Sequence, residues 1–411
     1  MRCVAPTTSL AVALVLVISA CTGSTTTITP SAMGTPTRFA GPSIAPASPP
    51  IATAPASSSS GTTERLQAAL DGERASYHSA GALGLVRSGG REFTATSGTA
   101  DLLGTPITDT TRFRIASITK PIVATLVLDA VAHGKLRLDD VVDDLLPGVV
   151  RATPPITMRQ LPDHTAGIFD ESNEGNPEAD LAKVTDPVLQ DEGQSVLLRY
   201  QAGDQVIASD RLLVALAETH DRYFAPGQGY HYSNIGYQLA AMVLEHVTGQ
   251  GLSDLLRTRI VEPLGLRHTT IAPPDLASPE FRGYDASTTD GSPVDVTDGL
   301  LAFGNGGNGG VISTADELLT IMQAIVSGGL LPAALVGEME RPVLQSYGLG
   351  LATYDLSCGR FYGHGGSVNG TQSIALVAPD GVDGIVLAIN FRSGEDPGLP
   401  ALADQVLCQG P

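Results

Sequence analysis

The spacing of apolar residues divides the chain beyond about residue 63 into strand-like ends and a helical middle. A helical pattern covers 64–77. The segments 81–90 and 92–101 then alternate between apolar and polar positions and are bounded by Gly and Asp, which is typical of an antiparallel hairpin. Alternating, β-rich segments return between 346 and 391, and a helical pattern at 398–408 follows them.

The middle of the chain repeats apolar residues at i, i+3 and i+4, which predicts helices. This order of elements predicts an α+β fold, in which an antiparallel sheet built from both ends is flanked by helices and carries an inserted helical domain. We place the sheet part at about 63–116 and 300–411 and the helical insertion at about 117–299. Helical patterns cover 118–135, 157–168, 210–220, 234–250, 252–266 and 313–329, the last with a capping-box pattern of Thr314 and Glu317.

The first 62 residues have a different character. An apolar run from about residue 10 to 20 is shorter than the roughly 20 residues that span a bilayer, and it fits the core of a secretory signal. The run ends in "ISAC", which resembles a bacterial lipobox. Residues 1–21 are therefore predicted to be a lipoprotein signal with Cys21 as the lipidated residue, and an ordinary signal peptide or an uncleaved anchor is the alternative.

Residues 22–62 are rich in Thr, Ser, Pro and Ala and nearly free of charge, so they are predicted to be a disordered linker. A signal, a lipid anchor and a tether together predict an exported protein, held by lipid at the extracytoplasmic face of the cell membrane. Glycosylation of the linker is left open.

Charge and cysteine content narrow the possible partners. The formal net charge of −19 over 411 residues argues against binding the phosphate backbone of a nucleic acid. Of the four cysteines, Cys3 leaves with the signal and Cys21 carries the lipid. The remaining two lie in an exported, oxidising setting, which predicts a Cys358–Cys408 disulfide, with two buried free thiols as the alternative.

Ser117 and Lys120 lie three positions apart at the start of a predicted helix, within "FRIASITKPIVATLVL". Residues at this spacing share a helical face, so the amine can reach the hydroxyl. A serine needs a base to act as a nucleophile, and a lysine is a base only when burial has lowered its pKa. The helix N-terminus also suits a developing oxyanion. An N-capping serine with an unrelated lysine is the alternative that this pair alone leaves open.

Two further motifs follow along the chain. Tyr232, Ser233 and Asn234 open another predicted helix in "YHYSNIGY", and "YGHGGSVNG" places His364, Gly365 and Gly366 on a late predicted strand. Each alone is compatible with a simpler structure, a helix cap for the first and a glycine-rich turn for the second.

In this order the motifs resemble the three active-site elements of the penicillin-recognising serine hydrolases, namely S-x-x-K, Y-x-N and an H/K-x-G triplet. The resemblance extends from about residue 65 to 411 and is to the branch of class C β-lactamases, DD-carboxypeptidases and serine esterases. It implies a sheet domain and a helical domain with the active site between them. A run like "DLSCGRFYGHGG" is bridged to a near-terminal cysteine in secreted DD-carboxypeptidases.

The resemblance also implies a role for each residue. Ser117 is implied to be the acylated nucleophile and Lys120 its base or proton relay, although which group takes the proton in acylation is open. Tyr232 is implied to shuttle a proton to the leaving group, with a pKa lowered by Lys120 and His364. Asn234 is implied to hold Lys120 and a substrate amide, and His364 to complete the polar network. The segment Gly365, Gly366 and Ser367 is implied to border the substrate. The backbone N–H groups of Ser117 and Ser367 are implied to form the oxyanion hole.

The sequence departs from the family pattern at two places. Pro162 and Asp163 stand where Leu-Ser often precedes the His-Thr pair, and His364 replaces the lysine of most β-lactamases. A neutral imidazole grips a carboxylate less well than a lysine does, which weakens a β-lactamase assignment. Arg360 is a possible substitute, because it alternates on the same strand face as His364.

We therefore expect an exported serine hydrolase that forms a covalent acyl-enzyme with an ester or an amide. A D-alanyl-D-alanine carboxypeptidase or weak β-lactamase is the alternative, and a catalytically retired penicillin-binding or cell-wall sensor module is a further one. We expect no cofactor and no metal, because the histidines lack metal-ligand spacing and no H-E-x-x-H occurs. The expected partners are a small-molecule acyl ester, amide or cell-wall peptide and the membrane lipid, and the expected state is a monomer.

Overall fold

The strands of the described chain gather into one large sheet and two small ones. The computed structural model describes residues 59–150, 152–201, 208–271, 280–286, 292–297, 306–344, 346–392 and 398–408. The strands are β1 (Gly81–Ser88), β2 (Arg91–Gly98), β3 (Phe113–Arg114), β4 (Thr270–Ile271), β5 (Tyr284–Ala286), β6 (Pro293–Asp295), β7 (Val311–Ser313), β8 (Ala352–Leu356), β9 (Gly359–Val368), β10 (Thr371–Val377), β11 (Gly384–Ile389) and β12 (Phe391–Arg392).

The large sheet joins the two ends of the described chain. Its order is β2-β1-β11-β10-β9-β8, and every neighbouring pair is antiparallel. The small sheets have the orders β3-β7-β4 and β12-β5-β6. The first of them matters for function, because β3 leads directly into the segment that carries Ser117. The predicted α+β class with an antiparallel sheet is confirmed.

The helices cover the large sheet and form a helical region beside it. They are α1 (Ser59–Ser76), α2 (Thr119–Ala132), α3 (Val142–Leu145), α4 (Glu171–Glu174), α5 (Pro177–Leu181), α6 (Pro187–Gln201), α7 (Asp210–Ala217), α8 (Asn234–Thr248), α9 (Leu252–Leu256), α10 (Ala315–Val326), α11 (Ala333–Glu340) and α12 (Leu399–Cys408). Helix α2 packs against α8, α9, α10 and β9. Nearly all its residues are buried, which is why its sequence is apolar on every side.

Both faces of the large sheet are buried, so its central strands are apolar almost without interruption. In β11, Ile385, Leu387 and Ile389 join one apolar cluster with residues of α1 and α12. Val386 and Ala388, on the opposite face, join a second and larger cluster with residues of α2 and α10. The alternation of strand side chains thus builds two cores on the two sides of one sheet.

The helix predicted over 157–168 is wrong. Only Met158–Gln160 forms a short 3₁₀ helix, and turns follow it. Pro162 lacks the N–H that a helix interior needs, and His164 and Gly167 have φ values of 61° and 69°. This non-helical backbone brings His164 back towards the site described below.

Other boundaries also differ from the prediction. Helix α1 begins at Ser59, inside the segment predicted as linker. The pattern over 252–266 forms α9 and then a π-helical turn, Arg257–Val261. The capping box of α10 is half formed. Thr314 accepts from the N–H of Glu317, but the Glu317 carboxylate accepts from the backbone N–H groups of Arg267 and His268 instead.

A disulfide joins the turn between β8 and β9 to the end of α12. Cys358 and Cys408 are bonded, with their Cα atoms 5.0 Å apart. The predicted signal and Cys21, together with most of the predicted linker, lie outside the described residues. Within the described ranges, no helix has both the length and the apolar character needed to cross a membrane.

Candidate active site

Ser117 lies on a sharp turn between a strand and a buried helix. Strand β3 pairs with β7 and ends at Arg114, and a 3₁₀ turn, Ala116–Ile118, then leads into α2. Ala116 has a φ of 48°, a left-handed conformation that is strained for a residue with a Cβ. Such strain is concentrated at functional sites, and here it presents the partly exposed Ser117 at the N-terminus of α2.

Lys120 is completely buried and is the second residue of α2, one turn beyond Ser117. Its amine nitrogen lies 3.1 Å from Ser117 Oγ, 2.8 Å from Asn234 Oδ1 and 2.8 Å from the carbonyl oxygen of Asn308. Burial lowers the pKa of Lys120 to about 7, against the opposing effect of the Asp170 carboxylate. The predicted Ser117–Lys120 contact is therefore present, in surroundings that favour a neutral amine near pH 7.

The three contacts of the amine match the needs of a neutral base. Asn234 Oδ1 and the Asn308 carbonyl only accept hydrogen bonds, so they take the two protons of a neutral –NH₂ group. The nitrogen lone pair is then left for Ser117, whose hydroxyl is a donor as well as an acceptor. In this state the Ser117 O–H donates to Lys120 Nζ, which is the geometry for proton transfer from a nucleophile to its base.

Asp170 fixes the orientation of the Asn234 amide. Its carboxylate accepts from the backbone N–H of Asn234 at 3.1 Å and from Asn234 Nδ2 at 3.2 Å. Because a carboxylate accepts but does not donate, the amide nitrogen must face Asp170, and the amide oxygen must face Lys120. Asp170 is a site residue that no sequence motif indicated.

Tyr232 lies beside the Ser117–Lys120 pair, just before α8. Its phenol shares a hydrogen bond with Ser117, and Lys120 Nζ lies 4.8 Å from the centre of its ring. Burial raises the pKa of the Tyr232 phenol, so the expectation that Lys120 and His364 lower this pKa is wrong. The phenol is protonated at neutral pH and therefore suits a proton relay better than a primary base.

His364 lies on β9 and is buried and neutral. Burial and the nearby Lys120 lower its pKa to about 3. Its Nδ1 contacts the carbonyl oxygen of Gly365, and Nε2 lies 3.0 Å from the hydroxyl of Tyr347. Because the Gly365 carbonyl is only an acceptor, Nδ1 carries the proton, and the Tyr347 hydroxyl donates to Nε2. His364 thus supplies no fixed positive charge.

Strand β9 approaches the segment before Ser117 closely at Gly366. A Cβ at Gly366 would lie 2.3 Å from the carbonyl oxygen of Ile115, whereas a Cβ at Gly365 would lie 3.8 Å from its nearest neighbour, the hydroxyl of Tyr354. Only glycine permits this approach at Gly366. The strand therefore brings the backbone of Ser367, the next residue, alongside the Ser117 turn, where the oxyanion hole was predicted.

His164 and Tyr347 complete the wall of the site. His164 Nδ1 accepts from the backbone N–H of Ser233, and its ring centre lies 4.4 Å from that of Tyr232 and 4.8 Å from that of Tyr347. Sequence analysis gave neither residue a role, although both lie in segments that resemble the family, "HTAG" and "YGLGL". By contrast, Arg360 is exposed, and its Nε donates to Asp355 at 3.0 Å.

The chain is similar to a family of known proteins over most of its length. A family model described as Beta-lactamase matches residues 66–408. Penicillin-binding protein 4 of Amycolatopsis lactamdurans is 28% identical over 316 residues, which cover 71% of this chain and 74% of that protein. Esterase EstB of Burkholderia gladioli is 29% identical over 308 residues, which cover 67% of this chain and 74% of the esterase.

A solved structure adds to the comparison. The crystal structure of a D-stereospecific amidohydrolase from Streptomyces sp. aligns with a TM-score of 0.66 and 31% sequence identity, over 85% of this chain and 98% of that one. The family model spans well over half of the sequence, including every predicted site residue from Ser117 to Ser367. The chain therefore belongs to the Beta-lactamase family and is a β-lactamase-related serine hydrolase.

Proposed function

We propose that the protein hydrolyses neutral, short-chain acyl esters or amides through an acyl-enzyme on Ser117, with Lys120 as the base. The contact set of the Lys120 amine carries the proposal. Two obligate acceptors, Asn234 Oδ1 and the Asn308 carbonyl, lie at 2.8 Å, and the Ser117 hydroxyl lies at 3.1 Å. This arrangement is what a neutral lysine needs to take a proton from serine.

In the proposed mechanism, each bond that forms or breaks is accompanied by a proton transfer through Lys120 or Tyr232. The Ser117 proton moves to Lys120 Nζ as Oγ bonds to the acyl carbon, and the negative charge that forms on the carbonyl oxygen is stabilised by the N–H groups of Ser117 and Ser367. The bond to the leaving group breaks, and the leaving group takes a proton through the Tyr232 phenol, which Lys120 resupplies. Deacylation repeats these steps with water as the nucleophile and Ser117 as the leaving group.

The preference for a neutral substrate follows from the state of the two residues that the sequence offered as partners for a substrate carboxylate. His364 stands where most β-lactamases have a lysine, and it is neutral. Arg360, the predicted substitute, is exposed and bound to Asp355. Losing one charge-assisted hydrogen bond to a carboxylate lowers binding by about 1.5–3 kcal/mol, or roughly 10- to 100-fold. Penicillins and acyl-D-Ala-D-Ala, which both carry that carboxylate, should therefore be poorer substrates.

Amides of D-amino acids are a second candidate substrate class. The support is the 31% identity to a D-stereospecific amidohydrolase over 85% of this chain. A D-alanyl-D-alanine carboxypeptidase, a weak β-lactamase and a retired penicillin-binding sensor remain the competing functions, and each makes a different prediction about covalent labelling and turnover.

Labelling and turnover together test the proposal. A fluorophosphonate should label the wild type, and Ser117→Ala should abolish labelling while the circular dichroism spectrum is unchanged. Among p-nitrophenyl butyrate, nitrocefin and diacyl-Lys-D-Ala-D-Ala, the ester should have a kcat/KM at least tenfold above the other two. Matched D- and L-phenylalanine amides test the second candidate, which requires turnover of the D-isomer.

Three results would count against the proposal. Labelling that persists in Ser117→Ala would place the nucleophile elsewhere. A higher kcat/KM for nitrocefin or the peptide than for the ester would show that a carboxylate is bound after all. No labelling by either a fluorophosphonate or a fluorescent penicillin would favour the retired sensor.

The cellular location is part of the proposal. We propose that the protein is exported and lipid-anchored through Cys21 at the extracytoplasmic face of the membrane, and that it acts there as a monomer. The support is the sequence alone, namely the apolar run, the "ISAC" ending and the Thr, Ser, Pro and Ala-rich segment 22–62.

A further inference from the structure

The side chains of Glu171, Asp180 and His220 cluster together next to the candidate active site, since Glu171 follows Asp170 in the chain. Glu171 is the first residue of α4, Asp180 lies in α5, and His220 follows α7. His220 Nε2 lies 2.9 Å from Asp180 Oδ2 and 3.9 Å from Glu171 Oε2. One ligand atom from each residue lies within 4.8 Å of the others. Their separation along the chain gives no metal-binding motif, which explains why the sequence did not indicate this cluster.

The Glu171 carboxylate is buried without a hydrogen-bond partner. Its side chain is 0% exposed, and neither Oε1 nor Oε2 has a hydrogen-bond partner within the described structure. Asp180 and Asp170 lie close to Glu171. An ionised, buried Glu171 carboxylate with no donor and two acidic neighbours is unfavourable, and a cation placed among them would remove the penalty.

The other two side chains are already arranged as ligands. Asp180 Oδ1 accepts from Lys183 Nζ at 2.6 Å, and Oδ2 accepts from the backbone N–H of Asn176 at 3.0 Å. Oδ2 keeps a second lone pair on the side of His220. The His220 ring stacks on Phe169, with ring centres 3.9 Å apart and an interplanar angle of 12°, which fixes its orientation.

Glycine makes room for the Glu171 carboxylate. A Cβ at Gly175 would lie 2.1 Å from Glu171 Cδ and 2.2 Å from Oε2, so any larger residue there would displace the carboxylate. Helix α4 is thus built to keep Glu171 turned inwards towards Asp180 and His220.

We propose that Glu171, Asp180 and His220 form a binding site for a divalent first-row metal ion such as Zn²⁺. Imidazole with two carboxylates is a ligand set of this metal class, whereas Mg²⁺ and Ca²⁺ prefer oxygen ligands alone. Ligand atoms around tetrahedral zinc lie about 3.4 Å apart, so the observed separations need only small side-chain movements. His220 Nε2 is itself buried and, like both Glu171 oxygens, has no hydrogen-bond partner within the described structure.

Such an ion would stabilise the chain next to the site that contains Ser117. It would join α4, α5 and the segment after α7, and Glu171 directly follows Asp170, which holds Asn234. The ion would therefore fix the backbone at Asp170 without touching a substrate. Through Asp170 it would help to hold Asn234 in position. The experiment below has no activity readout and is independent of the proposed hydrolase function.

Metal binding to the purified full-length chain tests the inference. After treatment with a chelator, titration calorimetry with ZnCl₂ should show one site per chain. With Zn²⁺ at about 100 times Kd, the Tm should rise by about 3–5 °C. MnCl₂ should bind more weakly than ZnCl₂, and MgCl₂ should leave the Tm unchanged.

Matched variants locate the site. Glu171→Gln keeps the shape of the side chain and should weaken Zn²⁺ binding at least 100-fold, and His220→Gln should do the same. Glu178→Gln is the control, because Glu178 is exposed on α5, near Asp180, and should bind Zn²⁺ like the wild type. Substoichiometric binding with no Tm shift in the wild type would overturn the inference, as would a folded Glu171→Gln that binds Zn²⁺ normally.

Discussion

At the residue scale, burial makes Lys120 a base, and its neighbours determine where its lone pair points. A charged amine would suit all three of its acceptors, so the hydrogen bonds alone do not neutralise it. Complete burial disfavours the charge, and the Asp170 carboxylate opposes this by favouring it. The net effect is a pKa of about 7, which lets the amine take a proton and return it during one turnover.

The pH dependence of kcat/KM should therefore follow the deprotonation of Lys120. The neutral amine is the active form, so kcat/KM for p-nitrophenyl butyrate should rise about tenfold per pH unit below a pKa of about 7 and level off above it. Lys120→Met, of similar length but without an amine, should lower kcat/KM by about 10²- to 10⁴-fold. Initial rates between about pH 5 and pH 9, corrected for spontaneous hydrolysis, measure both effects.

Other titrating groups near Lys120 provide the control. The pKa values of His364 and His164 are lowered by burial and by Lys120, so both rings stay neutral across this range, and Tyr232 stays protonated. Burial raises the pKa of Asp163 to about 6, close enough to imitate Lys120. Asp163→Asn should keep the rise with pH, and its disappearance in that variant would contradict the assignment to Lys120.

The sequence reveals those site residues that lie together in short motifs. Ser117, Lys120 and Tyr232 lie in short motifs whose spacing reports one helix face or one helix start. Asp170 acts through its contact with Asn234, 64 positions away, and no local spacing reports such a contact. The sequence also could not predict the direction of the Tyr232 pKa shift. Burial decides that direction, and burial is a property of the folded chain.

At the scale of elements, strand β9 and the Ser117 turn form the site by close backbone contact. Periodicity predicted α2 from its long apolar run, and it predicted β9 from an alternating, β-rich segment. It failed over 157–168, where Pro162 and the positive φ of His164 override a helical pattern. Turns of this kind are set by a few backbone angles, and these are the features that apolar spacing does not report.

A matched pair of glycine variants tests that contact. Gly366→Ala would place a Cβ 2.3 Å from the Ile115 carbonyl oxygen and push β9 away from the turn, so kcat/KM should fall by about 100-fold or more. Gly365→Ala meets nothing closer than 3.8 Å and should stay within about threefold of the wild type. Ester kinetics measure the rates, and Tm values show whether each variant folds. Equal losses in two folded variants would argue against an oxyanion hole at Ser367.

At the scale of the whole molecule, both ends of the described chain are needed for one sheet. Strand β1, near the start, pairs with β11, near the end, and the two cores on either face draw on helices from both ends. Strand patterns at the two ends of the sequence were enough to predict this α+β arrangement. They did not predict the order of the strands, because long-range pairing is decided by how helices cover each face.

The last prediction concerns where this molecule is held in the cell. A tether made of residues 22–58 would reach on the order of 100 Å in a polyproline-like conformation, so an anchor at Cys21 would leave the hydrolase free of the membrane surface. The mature chain should begin at a diacylated Cys21 and should partition into membranes, whereas Cys21→Ala should lose the lipid mass and the membrane association. Intact mass spectrometry and membrane fractionation measure these outcomes, and Cys3→Ala is the control that should change neither. A mature chain cut at another residue without lipid would leave an ordinary secretory signal as the better interpretation.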